Sequence, residues 1–138
     1  AAIYHWFPKV TGRRLNERLG LVHFIGSFVT MNAVFLPMFL MGIMGVNRRM
    51  YDAGLQYQLA EPTLAWNPHM TWNAVALGVF QLVFLVNIVW SAKRGVPAEN
   101  PWQATTLEWT TTSPPPAGNF AVPPVVTTGP YRYGEEQA

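Results

Sequence analysis

The sequence predicts an all-α membrane protein: two transmembrane helices followed by an extended, proline-rich C-terminal tail. Three observations predict it. Half of the 138 residues are apolar and only 12% are charged, against about a quarter charged in an ordinary soluble domain. The apolar residues concentrate in two long blocks, and the ends of the chain are polar and rich in proline. Basic residues sit beside the blocks and are nearly absent from them.

The first block, 19–45, reads LGLVHFIGSFVTMNAVFLPMFLMGIMG, with no acidic or basic residue except His23. About 20 apolar residues at 1.5 Å each cross a bilayer core, so the block spans with some tilt. Pro37 lies inside it, where a kink is tolerated if neighbours satisfy the freed carbonyl. The second block, 72–92, reads WNAVALGVFQLVFLVNIVWSA and is uncharged. Trp72 and Trp90 stand near its ends, where an interfacial aromatic belt is expected. Asn73, Gln81 and Asn87 are expected to bond to neighbouring helices, because an unpaired amide in lipid is costly.

The flanks set the orientation. Lys9, Arg13, Arg14 and Arg18 precede the first helix, and Lys93 and Arg94 follow the second. Positive charge favours the inner side. Residues 1–18 and 93–138 are therefore expected on the cytoplasmic or matrix side, and the 46–71 connection on the outer side. Arg48 and Arg49 then stand where positive charge is scarce.

In the first segment a turn is expected at 8–12, then a helix start with Asn16 as N-cap. Glu17 and Arg13 have the spacing of a solvated helix pair. The 46–71 connection, with Gly54, Pro62 and Pro68, is expected to hold a short helix or turns. The tail carries TLEWTTTSPPPAGNFAVPPVV. Pro114, Pro115 and Pro116 enforce extended polyproline geometry, and the tail is expected to lie on a partner surface or be partly disordered.

Several function classes are excluded. A net charge of +2, carried beside the apolar blocks, gives no footprint for nucleic acid. The absence of cysteine removes disulfides and thiolate metal sites. His5, His23 and His69 lie in three separate segments without metal-ligand spacing. No nucleophile has a nearby base and no glycine-rich phosphate loop occurs, so no catalytic residue and no metal ligand is expected in this chain. It starts at Ala1 and shows no secretory signal; a processed end, a split subunit and a piece of a longer chain all fit.

Two features suggest binding. Met31, Phe35, Met38 and Gly42 form one helical stripe, and methionine packs well beside rigid planar groups. The face with Asn32, Gly42 and Gly45 suits close helix contacts. Beyond it, Arg48 and Arg49 suit either lipid headgroups or a fork for buried anionic groups, since guanidinium binds carboxylates bidentately.

Three segments carry a family resemblance. HWFPKVTGRRLNERLG at 5–20, NAVFLPMFLMGIMGVNRR at 32–49 and NPWQATTLEW…SPPPAGNF at 100–120 resemble, in order, parts of subunit I of the haem–copper respiratory oxidases. The resemblance covers most of the chain and implies its C-terminal portion, with the last two of twelve helices. It implies that Arg48 and Arg49 bind propionates of the two haems from the outer side, and that Phe35 and Met38 lie against the low-spin haem. Heme a and a3-type haems are the implied cofactors. The resemblance also implies copper in the complex, not ligated by this chain, because the family's haem and copper histidines lie on earlier helices.

The implied function is a structural, haem-contacting part of a proton-pumping cytochrome c oxidase of the respiratory chain. The implied partners are the remaining helices of subunit I, subunits II and III, the lipid bilayer and cytochrome c. A quinol oxidase with the same fold, and a cofactor-free accessory membrane subunit, are the alternatives. The chain departs from the family pattern at Phe39, where His is frequent, and at Asn47, where Pro is frequent. Its connection from Arg49 to Trp72, with Tyr51, Tyr57, Glu61 and Trp66, is longer than usual and has no family role.

Overall fold

The computed structural model describes residues 1–47, 49, 58–126 and 129–132. Among the described residues three α-helices appear in chain order: α1 (Ala2–Thr11), α2 (Glu17–Ile43) and α3 (Trp66–Arg94). Short 3-10 turns occupy Gln58–Thr63 and Leu107–Trp109. Among the described residues there is no strand, only an isolated bridge between Arg13 and Pro97. Two helices among the described residues are long and apolar enough to cross a membrane.

α1 runs through Pro8 and ends at Gly12, so the turn expected at 8–12 narrows to the glycine. The Gly12 N–H returns to the Pro8 carbonyl at 2.7 Å. α2 runs on past Pro37 to Ile43. Gly45, at φ 94, closes it: the Val46 N–H reaches the Met41 carbonyl at 3.0 Å and the Gly45 N–H reaches that of Gly42 at 3.1 Å. This closure needs the left-handed backbone that glycine adopts without a Cβ penalty. α3 begins at Trp66, with Pro68 in its first turn. Proline is tolerated there because the first N–H groups of a helix have no intrahelical acceptor.

The chain divides into two compact units, Ala1–Glu17 with Val86–Ala138, and Arg18–Leu85. In the second unit α2 and α3 pack closely at Gly26, where an added Cβ would run into the Phe80 ring. Partners of 23–27 on α2 fall from 84 to 80 on α3, so the helices are antiparallel here.

In the first unit the tail does not lie free. The Arg14 N–H bonds the Val96 carbonyl at 2.8 Å, and the Ala98 N–H bonds that of Gly12 at 2.9 Å. Trp102 Nε1 donates to the His5 carbonyl at 2.9 Å, and Lys9 Nζ donates to the carbonyls of Thr111 and Thr112 at 2.6 and 3.2 Å. Phe7, Leu15 and Trp109 are the buried apolar residues of this small core. The tail thus finds its surface on α1 of the same chain. Arg13 lies outside the helices and donates to the Gly95 carbonyl at 2.8 Å. Glu17 pairs instead with Arg14.

The burial pattern is inverted relative to a soluble protein. In α2 the buried residues are Gly26, Thr30 and Met41, and in α3 they are Asn87 and Ser91. Phe24, Phe28, Phe35, Phe39, Leu82, Leu85 and Val89 are exposed. Apolar surface on this scale requires lipid or further helices around it.

Candidate functional site

The far end of α2 carries the residues that the sequence singles out. Phe35 and Met38, three residues apart and so neighbours on the helix surface, are each 53% exposed. Asn32 does not reach out; its Nδ2 bonds the Phe28 carbonyl at 2.7 Å, one turn back. Among the described residues nothing lies within 4 Å of where a Cβ on Gly42 or Gly45 would stand. Among the described residues a close helix contact is made at Gly26, and at this end of α2 Met41 is buried while Phe35 and Met38 stay exposed.

Beyond the helix, Arg49 is exposed and adopts φ 63, a left-handed conformation that costs a non-glycine residue roughly 1 kcal/mol or more. It forms no ion pair with the described residues. Arg48 lies outside the described residues, as do Tyr51 and Tyr57 of the connection.

The polar residues of the spans take three different routes. Gln81 Nε2 donates to Ser27 Oγ at 3.0 Å, and Gln81 Oε1 lies 3.4 Å from His23 Nε2, a bond that requires the proton on Nε2. His23 also stacks on Phe84. Asn87, fully buried, bonds the backbone of Asn16 and accepts from Ser91 Oγ at 3.0 Å. Asn73 turns back onto His69 of its own helix, bonding the carbonyl at 2.9 Å.

A further cluster was not singled out by the sequence. Lys9 is 7% exposed, and its ammonium stands 5.4 Å from the Trp109 ring centroid. His5 stacks on Trp102 and meets Trp6 and Trp109 edge-on. Burial holds the Lys9 ammonium below its ordinary range, with Glu108 and Glu99 opposing. Burial likewise pushes the Tyr4 hydroxyl up, against a bond to Asn87 that lowers it. The only local hint of this cluster is a lysine set among Phe7, Pro8 and Val10.

Among the described residues no group of three or more His, Asp or Glu side chains is placed to hold a metal ion. What this end of α2 offers is an exposed apolar wall, Phe35 and Met38, and a guanidinium beyond it.

Known sequences decide the family. The family model described as cytochrome C and quinol oxidase polypeptide I matches residues 1–80. The chain belongs to this family. Cytochrome c oxidase subunit 1 of Thermostichus vulcanus is 48% identical over 99% of the chain, which spans 24% of that protein. Alternative cytochrome c oxidase subunit 1 of Bradyrhizobium diazoefficiens is 44% identical over 96% of the chain and 23% of its own length. A protein of Aeropyrum pernix named heme-copper oxidase subunit I+III is 40% identical over 91% of the chain and 15% of its own length. The chain therefore spans about a quarter or less of these relatives.

Proposed function

We propose that this chain is the C-terminal part of subunit I of a proton-pumping cytochrome c oxidase, the membrane enzyme that passes electrons from cytochrome c to O2. In this reading α2 and α3 are the last two of twelve helices. Residues 1–18 and 93–138 face the cytoplasm or matrix, and 46–71 face the other side. The remaining helices of subunit I, with subunits II and III, cover part of the apolar surface, and the lipid bilayer covers the rest. The Aeropyrum relative's name joins I and III in one chain, which supports III as a neighbour. The family description admits a quinol donor; the relatives named for cytochrome c favour that donor.

The observation that carries the reading is the exposed wall of Phe35 and Met38 on α2, with the guanidinium of Arg49, which forms no ion pair with the described residues, beyond the helix end. These residues fit a haem held by its edge and its carboxylates, with no iron ligand from this chain. The haem supplies the electron-transfer and oxygen chemistry when bound. Phe35 and Met38 exclude water from its face. Arg48 and Arg49 compensate propionate charge that would be costly to leave unpaired at the membrane edge. Charge-assisted bonds of this kind contribute about 1.5–3 kcal/mol each.

The test is a haem redox titration of the whole complex carrying Arg48→Leu or Arg49→Leu. A positive charge beside the haem favours the reduced form, so each change lowers a haem potential and slows turnover. Unchanged potentials, turnover and proton stoichiometry in both variants would make the arginines lipid anchors and defeat the assignment.

A further inference from the structure

We propose that the exposed face of α3 formed by Val86, Val89, Trp90 and Lys93, with the Arg94 guanidinium folded over Trp90, is a binding site for an anionic phospholipid. The rotation of this part of the helix is fixed. Asn87 and Ser91 are 0% and 1% exposed and bond the backbone of Asn16. At 3.6 residues per turn, Val86, Val89, Trp90 and Lys93 stand at i, i+3, i+4 and i+7. They therefore form one stripe, to the side of the clasped face. Val86, Val89 and Trp90 are 58%, 56% and 51% exposed, and Lys93 and Arg94 are exposed beyond them.

Arg94 starts closer to the clasped side, but its guanidinium lies 5.0 Å from the Trp90 ring centroid. The indole thus brings the charge onto the stripe. The other arginines nearby are engaged: Arg13 donates to the Gly95 carbonyl and Arg14 pairs with Glu17. Lys93 and Arg94 form no ion pair with the described residues.

The order along the face is aliphatic, then indole, then two cations, at the end of a helix long enough to span a membrane. That order matches acyl chain, glycerol region and anionic headgroup. Trp favours the interface because one end of it is apolar and the other polar. A neutral lipid would leave both cations uncompensated. A covering protein helix would have to desolvate them, which is unfavourable without partners.

The test uses the complete detergent-solubilised membrane complex that contains this chain. Native mass spectrometry follows retention of phosphatidylglycerol and of phosphatidylcholine with the same acyl chains. Phosphatidylglycerol is retained in preference, and K93Q/R94Q weakens its binding roughly fivefold for each cation removed, leaving phosphatidylcholine unchanged. Trp90→Ala weakens it with both charges intact, and Trp90→Phe restores part of the binding. Equal retention of the two lipids, or no effect of K93Q/R94Q, overturns the proposal. Full displacement by inorganic phosphate at equal concentration also overturns it, in favour of a small-anion site. If K93Q/R94Q does not assemble, K93R/R94K and the unmodified complex decide: charge-retaining variants keep the preference, and rising salt removes it. A preference insensitive to salt overturns the proposal.

Discussion

Asn87 and Asn16 hold each other in both directions: Asn87 Oδ1 accepts the Asn16 N–H at 3.0 Å, and Asn87 Nδ2 donates to the Asn16 carbonyl at 3.0 Å. Asn16 immediately precedes α2. One amide thus satisfies both backbone groups of the residue at which the chain enters the helix. Ser91 Oγ adds a second acceptor for the same N–H at 3.1 Å.

Replacing Asn87 by Leu keeps the volume but removes both of its bonds to the Asn16 backbone, leaving the N–H to Ser91 Oγ. Each lost hydrogen bond costs about 0.5–1.5 kcal/mol, and this substitution removes two. Asn87→Leu is therefore expected to lower the thermal stability of the assembled complex markedly. Ser91→Ala is expected to cost about 1 kcal/mol, since Asn87 still bonds both groups. Thermal unfolding of the two variants checks the order; equal effects would mean that Asn87 acts through packing alone.

Gly26 is fixed by Phe80. A Cβ at residue 26 would run into that ring, and overpacking of this kind costs about 1–3 kcal/mol. Gly26→Ala is expected to loosen the α2–α3 contact and lower stability. Phe80→Leu in the same chain should recover most of the loss, because it removes the obstructing ring. A double variant no better than Gly26→Ala would show that the clash lies elsewhere.

Lys9 ties residues 102 and 103 positions away, Thr111 and Thr112, to α1 through their carbonyls. Lys9→Met is expected to release the tail, measured as faster proteolysis beyond residue 99 in the intact complex. The pH dependence has a definite sign. Burial lowers the Lys9 pKa in the folded state, so between that value and the ordinary 10.5 the undocked state binds more protons. Docking therefore strengthens as pH rises through that window and changes no further above it. Neutral lysine keeps its donors, so the carbonyl bonds survive. In Lys9→Met this pH dependence is lost.

The two long helices were legible because twenty or so apolar residues in a row leave few other structures. Gln81 and Asn87 were legible as partner-seeking groups for the same reason: an amide in an apolar span has few satisfactory fates. Asn73 has the same chemistry but bonds back to His69, a choice that depends on whether a neighbour lies opposite. Gly42 and Gly45 looked suited to close packing, yet among the described residues it is Gly26 that makes such a contact. A glycine reports room for a neighbour without saying where the neighbour is. Arg14 takes Glu17 in place of Arg13 because Arg13 falls in the bridge to Pro97, outside the helical spacing. The docked tail had no local signature: its bonds to α1 join residues about a hundred positions apart, and proline content alone reads as an extended segment.

Arg49 offers a sharper test of the haem assignment than removal of its charge alone. Its φ of 63 is unfavourable for arginine and ordinary for glycine. Arg49→Gly therefore relaxes the backbone while deleting the guanidinium, and Arg49→Lys keeps the strain and the charge but loses the bidentate fork. If strain were the residue's contribution, glycine would be silent or mildly stabilising. If the guanidinium holds a propionate, Arg49→Gly lowers the haem potential in spite of the relaxed backbone, and Arg49→Lys lowers it less. The same ordering is expected in turnover. A haem potential that follows the backbone change instead, unaltered in Arg49→Gly, would detach Arg49 from the haem and leave the Phe35 and Met38 wall to some other planar partner.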